Sequence, residues 1–494
     1  MNSSRSSQKR DDKSSFKPVA PFQMFYQLTY MSAMAASGIS RSKVFQIAAR
    51  SESPAAQYFA AVNTLVDEFR YDYADACRRV GIKAASDNMK SFLLRLSDAL
   101  RSGEPLADFL AREAEVQSQE YENKYERDLE GLKQWTNAFS SIVISTALII
   151  IIQLVTAMIY STDPKSISGM VFAGILMGAF SVWIIYRSAP RETMTVNPSQ
   201  GAPEQKKALR LFKMIAPVTL MMAMALYILN LNPGYILIMA AICVLPIGVI
   251  SFRSDRKTAK KDEEFSTFLR SAGGMATSTG TTLKQALTRI DLSSFPTLEP
   301  DIDRLSKRLL ALVDPEVCWH RFGLETGSKL ISEVVDIFYG AVKIGGDPER
   351  VGYLCSLFTA KTSQLRARRR MTASTFSALT TVMQAVVAGL MVFVLSIVQS
   401  FALMVKELMP TAEEMANRPA MSLGMAEFTP EQLQFLALIT LVMIIAQALV
   451  NAAAIIFCDG GYRLKVFLYM ALTLFISGLS LLFVPVMVSG ILKN

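Results

Sequence analysis

The chain has 494 residues, 51 Lys and Arg against 42 Asp and Glu, and is 51% apolar. Its apolar residues gather into uncharged runs of membrane-spanning length separated by charged segments, which excludes a purely soluble protein and a disordered one. Continuous rather than alternating runs also exclude a transmembrane β-barrel.

Residues 1–20 are polar, with Arg5, Lys9, Arg10 and Lys13, and no apolar stretch of signal-peptide type follows them. They read as a disordered cytoplasmic tail. Residues 21–137 then form a helical bundle. Phe25, Leu28, Met31 and Ala35 make one stripe that stops at Gly38, and Phe92, Leu93, Leu96 and Leu100 make another that stops near Gly103. A helix of ~20 apolar residues crosses ~30 Å of hydrocarbon. Runs of that kind occur at 138–160, 168–186, 214–231 and 235–252, with a loop at 187–213 between the second and third. A second charged helical region occupies 253–375. Three more runs follow at 376–405, 434–457 and 466–491, with an acidic loop at 406–433. The fold class is therefore an all-α integral membrane protein with about seven transmembrane helices and two cytoplasmic helical bundles.

The loops set an orientation. With the N-terminus in the cytoplasm and the C-terminus outside, only Lys165, Lys406, Arg418 and Lys493 of the basic residues fall outside. The outside loop carries Glu407, Glu413, Glu414, Glu427 and Glu431. This is the lysine and arginine asymmetry of a cell-membrane protein, and it also attracts anionic lipid head groups.

The two bundles repeat one another at an offset of 242 residues. Gly38 falls on Gly280, and Phe92, Leu93, Leu96 and Leu100 fall on Val334, Val335, Phe338 and Val342. With one inserted residue, Gly103-Glu104-Pro105 falls on Gly346-Asp347-Pro348. Each copy then runs as one long helix into an apolar span.

Catalytic signatures are absent. The chain has no phosphate-binding loop, no nucleophile elbow and no metalloprotease helix. Cys77, Cys243, Cys318, Cys355 and Cys458 show no CxxC spacing, and His320 is the single histidine. No enzyme, cofactor, metal site or nucleic-acid surface is expected. Cys318 and His320 would not face one another on a helix, and the acidic pairs Asp347/Glu349 and Glu413/Glu414 read as solvated charges. The spans contain no Asp, Glu, Lys or Arg, which argues against an ion-coupled transporter. Gln153, Gln384, Gln399, Gln447 and Asn451 within them read as interhelical hydrogen-bonding groups. The basic cluster Arg366, Arg368, Arg369 and Arg370 precedes the fifth span. It reads as a positive anchor or as a meeting point for acidic groups of a partner.

This arrangement resembles the type II secretion system F family, the platform proteins of type IV pilus-like machines, in its archaeal branch. The resemblance rests on the Phe25–Gly38 stripe with Gly38-Ile39-Ser40, on Ser102-Gly103-Glu104-Pro105-Leu106, on Gly280-Thr281-Thr282-Leu283 and on Gly345-Gly346-Asp347-Pro348. It implies a non-enzymatic platform for an archaellum or archaeal pilus. Its expected partners are a hexameric secretion ATPase, pilin or archaellin-like subunits and membrane lipids, and it is expected to act as a homo-oligomer, a dimer. Arg366, Arg368, Arg369 and Arg370 become the candidate ATPase contact. Gly38, Gly103, Pro105, Gly280, Gly346 and Pro348 become the structural residues of the repeat. The competing readings are a transporter or channel with cytoplasmic regulatory domains and a bacterial Tad or type II secretion platform.

Overall fold

The computed structural model describes residues 16–51, 53–159, 164–197, 199, 201–229, 231–408 and 430–493. Most of the expected polar tail and of the acidic loop at 406–433, including Glu413, Glu414 and Glu427, lies outside them. Among the described residues the regular structure is all helical; Thr195 and Ser328 alone form an isolated β-bridge.

The first copy comprises α1 (Pro21–Ala36), α2 (Arg41–Ala49), α3 (Ala56–Asp67), α4 (Tyr73–Ile82), α5 (Asp87–Ser102) and the start of α6 (Leu106–Ile159). Then come α7 (Pro164–Ser188), α8 (Pro203–Ile228) and α9 (Pro233–Thr279). The second copy takes the end of α9, then α10 (Leu283–Arg289), α11 (Glu299–Leu310), α12 (Pro315–Glu325), α13 (Lys329–Lys343) and the start of α14 (Pro348–Leu408). The chain closes with α15 (Pro430–Asp459) and α16 (Val466–Lys493). Seven of these helices are long and apolar enough to cross a membrane.

Adding 242 to each residue number of the first copy lands on the matching helix of the second, and the match extends to the turns. Asp72 and Asp314 both open a helix. Their carboxylates accept from the backbone N–H two residues on, Ala74 at 3.1 Å and Glu316 at 3.0 Å. Gly38 and Gly280 are both left-handed, at φ +71° and +59°. Among the described residues, Arg70 (φ 54°) and Leu312 (φ 61°) are the two non-glycine residues with positive φ, and they too are related by the offset. A left-handed L-residue costs roughly 1–2 kcal/mol, so two at equivalent positions mark one inherited turn.

The left-handed glycines also correct the alignment of the two copies at the last turn. The left-handed partner of Gly103 (φ +76°) is Gly345 (φ +100°), not Gly346. The N–H of Glu104 donates to Ala99 at 3.2 Å and that of Gly346 to Ala341 at 3.0 Å, again at the same offset. No insertion is needed. Pro105 and Pro348 therefore occupy successive rather than equal positions: the carbonyl that opens the long helix belongs to Pro105 in one copy and to Asp347 in the other. Gly346 has a different task, because a Cβ there would lie 2.4 Å from Ser37 Oγ.

The chain divides into two compact units. The first holds both bundles, built from residues up to Glu126, Lys260–Thr326 and Leu330–Leu365. The stripes anticipated from the sequence form its interior. Phe25, Leu28, Met31, Phe92, Leu93 and Leu96 are buried in one bundle, and Val334, Val335 and Phe338 in the other. The bundles pack directly on each other: Phe358 of α14 lies 4.6 Å, ring centre to ring centre, from Phe25 of α1. Ser37 Oγ donates to the carbonyl of Ala341 at 3.3 Å.

The second unit takes Arg127–Ala259, Gly327–Lys329 and Arg366–Asn494. Small residues draw its apolar helices together. A Cβ on Gly174 of α7 would meet Thr146 Cγ2 at 2.6 Å, and one on Gly248 of α9 would meet the backbone of Leu468 at 2.4 Å. Asn451 of α15 donates to Gln384 of α14 at 2.6 Å, and Gln384 donates to Ser477 of α16 at 2.9 Å. Amides that would be costly if bare in hydrocarbon thus satisfy one another. Helices α6, α9 and α14 each contribute residues to both units.

Candidate functional site

The arginine cluster lies where α14 passes from the residues of the first unit into those of the second. Residues three apart on a helix share a face, and Arg366 and Arg369 both turn inward, at 1% and 2% exposure. Arg366 donates through Nε and Nη2 to Glu192 Oε1, at 2.8 and 2.5 Å. Arg369 sits at the C-terminal end of α15. Its Nε donates to the carbonyl of Cys458 at 2.9 Å, Nη1 to that of Pro190 at 2.9 Å and Nη2 to that of Phe457 at 3.0 Å.

The last carbonyls of a helix lack intrahelical donors, and the helix dipole favours a cation there. A guanidinium therefore fits this place better than a solvent-facing one. These two arginines do not present a docking surface, which corrects their part of the sequence expectation. Arg368 is exposed and Arg370 half-buried.

The segment after α15 completes the site. Gly460 has φ +69°, ends α15 in the left-handed region, and lets the guanidinium of Arg369 lie against it; a Cβ there would be 2.2 Å from Arg369 Cζ. Lys465 Nζ pairs with Asp459 at 2.9 Å and with Asp255 of α9 at 3.2 Å, and all three side chains are 6% exposed. Asp255 also accepts from the backbone N–H of Tyr462 at 3.1 Å.

Three cations (Arg366, Arg369, Lys465) and three anions (Glu192, Asp255, Asp459) thus form an electrically neutral buried layer. Buried ion pairs add little net stability over apolar packing, but removal of one partner leaves an uncompensated charge, at roughly 3–5 kcal/mol. The layer holds α9, α14, α15 and the 190–196 segment in one arrangement. Sequence reasoning missed Glu192, Asp255 and Asp459. In the sequence only the short Asp459-Gly460-Gly461 stop between two apolar runs marks this place.

The other candidates are structural. Gly103 and Gly280 turn the chain, and Asp347 opens α14, with Thr277 Oγ1 donating to it at 2.7 Å. That hydrogen bond, helped by the backbone N–H groups of Glu349 and Arg350, holds its carboxyl below the usual range. Cys318 is buried and its thiol points toward the Val313 carbonyl at 3.7 Å. His320 is exposed on another face, with Nδ1 3.8 Å from Asp336. Burial pushes the Cys77 thiol up to about 12, the opposite of an activated nucleophile. Among the described residues, no group of three His, Cys, Asp or Glu side chains is placed to hold a metal ion.

The family model of the type II secretion system protein F matches residues 28–155, from within α1 into the apolar part of α6. Over 314 residues the chain is 27% identical to flagella accessory protein J of Methanocaldococcus jannaschii, covering 61% of this chain and 56% of that protein. Over 327 residues it is 20% identical to flagella accessory protein J of Methanococcus voltae, covering 64% and 59%. The chain therefore spans less than two thirds of the length of these curated relatives. No solved structure matches it. A match to the protein F model over residues 28–155, seven apolar helices of spanning length and similarity to two archaeal flagella accessory proteins describe a multi-pass membrane protein that carries a type II secretion system protein F domain.

Proposed function

We propose that the chain is the non-enzymatic membrane platform of a type IV pilus-like filament machine, of the archaellum or archaeal pilus kind. One observation carries the reading. In each copy of the repeat, one unbroken helix (α6 or α14) starts at the equivalent turn of the bundle and continues into an apolar span. A helix is stiff along its axis, so a displacement imposed on the bundle by a hexameric secretion ATPase would reach the membrane part, where pilin or archaellin-like subunits enter the filament. The N-terminus is cytoplasmic in this scheme and the C-terminus external, and two copies of the chain act together. Arg368, with half-buried Arg370, is the part of the basic cluster open to the ATPase.

The test is purification of the tagged full chain from its native membrane. The assembly ATPase and pilin-like subunits are expected to accompany it, and Arg368→Glu is expected to weaken ATPase recovery several-fold without loss of insertion. Saturable solute flux through reconstituted vesicles, with no ATPase recovered, would overturn the proposal in favour of a transporter.

A further inference from the structure

Helix α8 stands apart from the other apolar helices. Only 6% of its apolar stretch is buried inside the chain, against 33–44% for the other six. Met214, Leu220, Met221 and Ile228 are all largely exposed. Directly before this bare stretch, on the same helix, Lys206, Lys207, Arg210 and Lys213 are exposed as well. Arg253 and Arg256 of α9 are also exposed, and α9 is tied to α8 by Lys257 Nζ pairing with Glu204 at 2.9 Å. The nearby carboxylates are engaged: Glu204 by Lys257, and Asp255 by Lys465.

From this placement we infer that the collar formed by Lys206, Lys207, Arg210, Lys213, Arg253 and Arg256 binds anionic lipid headgroups of the leaflet in which α8 starts. Two features choose the ligand. Six cations that have no carboxylate partner among the described residues call for negative charge, and a phosphodiester supplies it. The apolar surface of α8 begins within a turn of them, so the molecule that meets the cations also needs hydrocarbon. An amphiphile with an anionic head and acyl or isoprenoid chains satisfies both at once. An acidic face of a soluble protein satisfies only the first. A lipid held here would fill the side of α8 that the chain leaves uncovered and would fix the helix against α9. The inference requires that α8 spans the bilayer; it does not depend on the filament-platform reading.

The full chain is incubated with mixed vesicles of four parts phosphatidylcholine to one part phosphatidylglycerol, repurified in mild detergent, and its retained lipids are counted by mass spectrometry. Wild type is expected to enrich phosphatidylglycerol about threefold over the bulk fraction at 0.1 M salt and to lose the enrichment toward 1 M, as the screening length falls from about 10 to 3 Å. The variant with all six residues changed to Gln is expected to retain lipid at the bulk ratio. A control with Arg41, Lys43, Lys83 and Lys90 changed to Gln is expected to behave as wild type. Absence of enrichment in wild type, enrichment that ignores salt, or an equal loss in the control overturns the inference. So does a six-residue variant that keeps the lipid but loses the ATPase, because the collar would then be a protein dock. Should that variant fail to insert, the salt series on wild type still decides.

Discussion

Helices α6 and α14 start alike and are used differently. They sit at the same offset, begin at the same turn and lead into apolar spans. Yet Phe358 of α14 is buried against Phe22, Phe25 and Tyr26, while its counterpart on α6, Val116, is 52% exposed. Further along, Arg366 and Arg369 are buried in the ion-pair layer, and their counterparts Lys124 and Arg127 are exposed. Duplication explains what the copies share: caps, left-handed turns and helix starts, all of them backbone devices. Once joined in one chain, only one copy's long helix needed to receive the other copy's first helix. The side chains diverged accordingly. The lesson is that the same backbone position has a structural role in one copy and a surface role in the other.

Paired substitutions break or sharpen this comparison. The largest difference is expected at Phe358→Ala, which empties the aromatic cluster between the bundles. Loss of a buried Phe side chain costs about 4 kcal/mol, whereas Val116→Ala, at an exposed site, should change stability by less than about 0.5 kcal/mol. Unfolding of each variant in mixed micelles measures both. Equal effects at the two positions would mean that α6 is as enclosed as α14.

Next comes Arg369→Ala. It leaves three carbonyls without their donor and the carboxylates of the layer in excess, at about 3 kcal/mol. Arg127→Ala, at the equivalent place, should be nearly silent in the same assay. Arg369→Lys should recover only part of the loss, because an ammonium cannot reproduce the planar fork that reaches three acceptors.

These two pairs also mark what the sequence made legible. The seven apolar helices and the two stripes are written in composition and in helical period, which depend on local residues only. Gly38 and Gly280 were visible because a left-handed turn asks for glycine. The burial of Arg366 and Arg369 was not visible. A run of Arg before a span reads the same whether its side chains face water or a neighbouring helix end, and Glu192 lies 174 residues away in the chain. The misplacement of Gly346 on Gly103 had a related cause: two adjacent glycines and an acid-proline step invited a match by residue type. The backbone hydrogen bonds follow position instead.

A smaller effect separates shared turns from divergent packing. Gly38→Ala and Gly280→Ala each place a Cβ in open space at positive φ, so each should cost about 1 kcal/mol for backbone strain alone. The two values should agree. By contrast, Gly460→Ala adds a collision with Arg369 and should cost more than either. A Gly38→Ala cost well above that of Gly280→Ala would show that the first turn carries a packing role the second lacks.

The smallest effect concerns the starts of the two long helices, and it is read by pH. Asp347 opens α14, while Pro105, which opens α6, has no titratable group. With Thr277 and two backbone N–H groups bonded to it, the Asp347 carboxyl titrates below its ordinary value of 3.8. A depressed folded-state pKa means stability that is fully present above the unfolded value and is lost as pH falls through the folded one. Protonation of Asp347 should therefore loosen the first turn of α14 only as pH falls below the ordinary carboxylate value of 3.8, and hydrogen exchange at Glu349 and Arg350 should rise there. Asp347→Asn keeps the cap, since Asn and Asp serve about equally well, but removes the titration. It should leave exchange near neutrality unchanged and abolish the acid-dependent rise. At the start of α6 the equivalent residue, Pro105, has no carboxylate, so Asp347→Asn should leave exchange there unchanged at every pH.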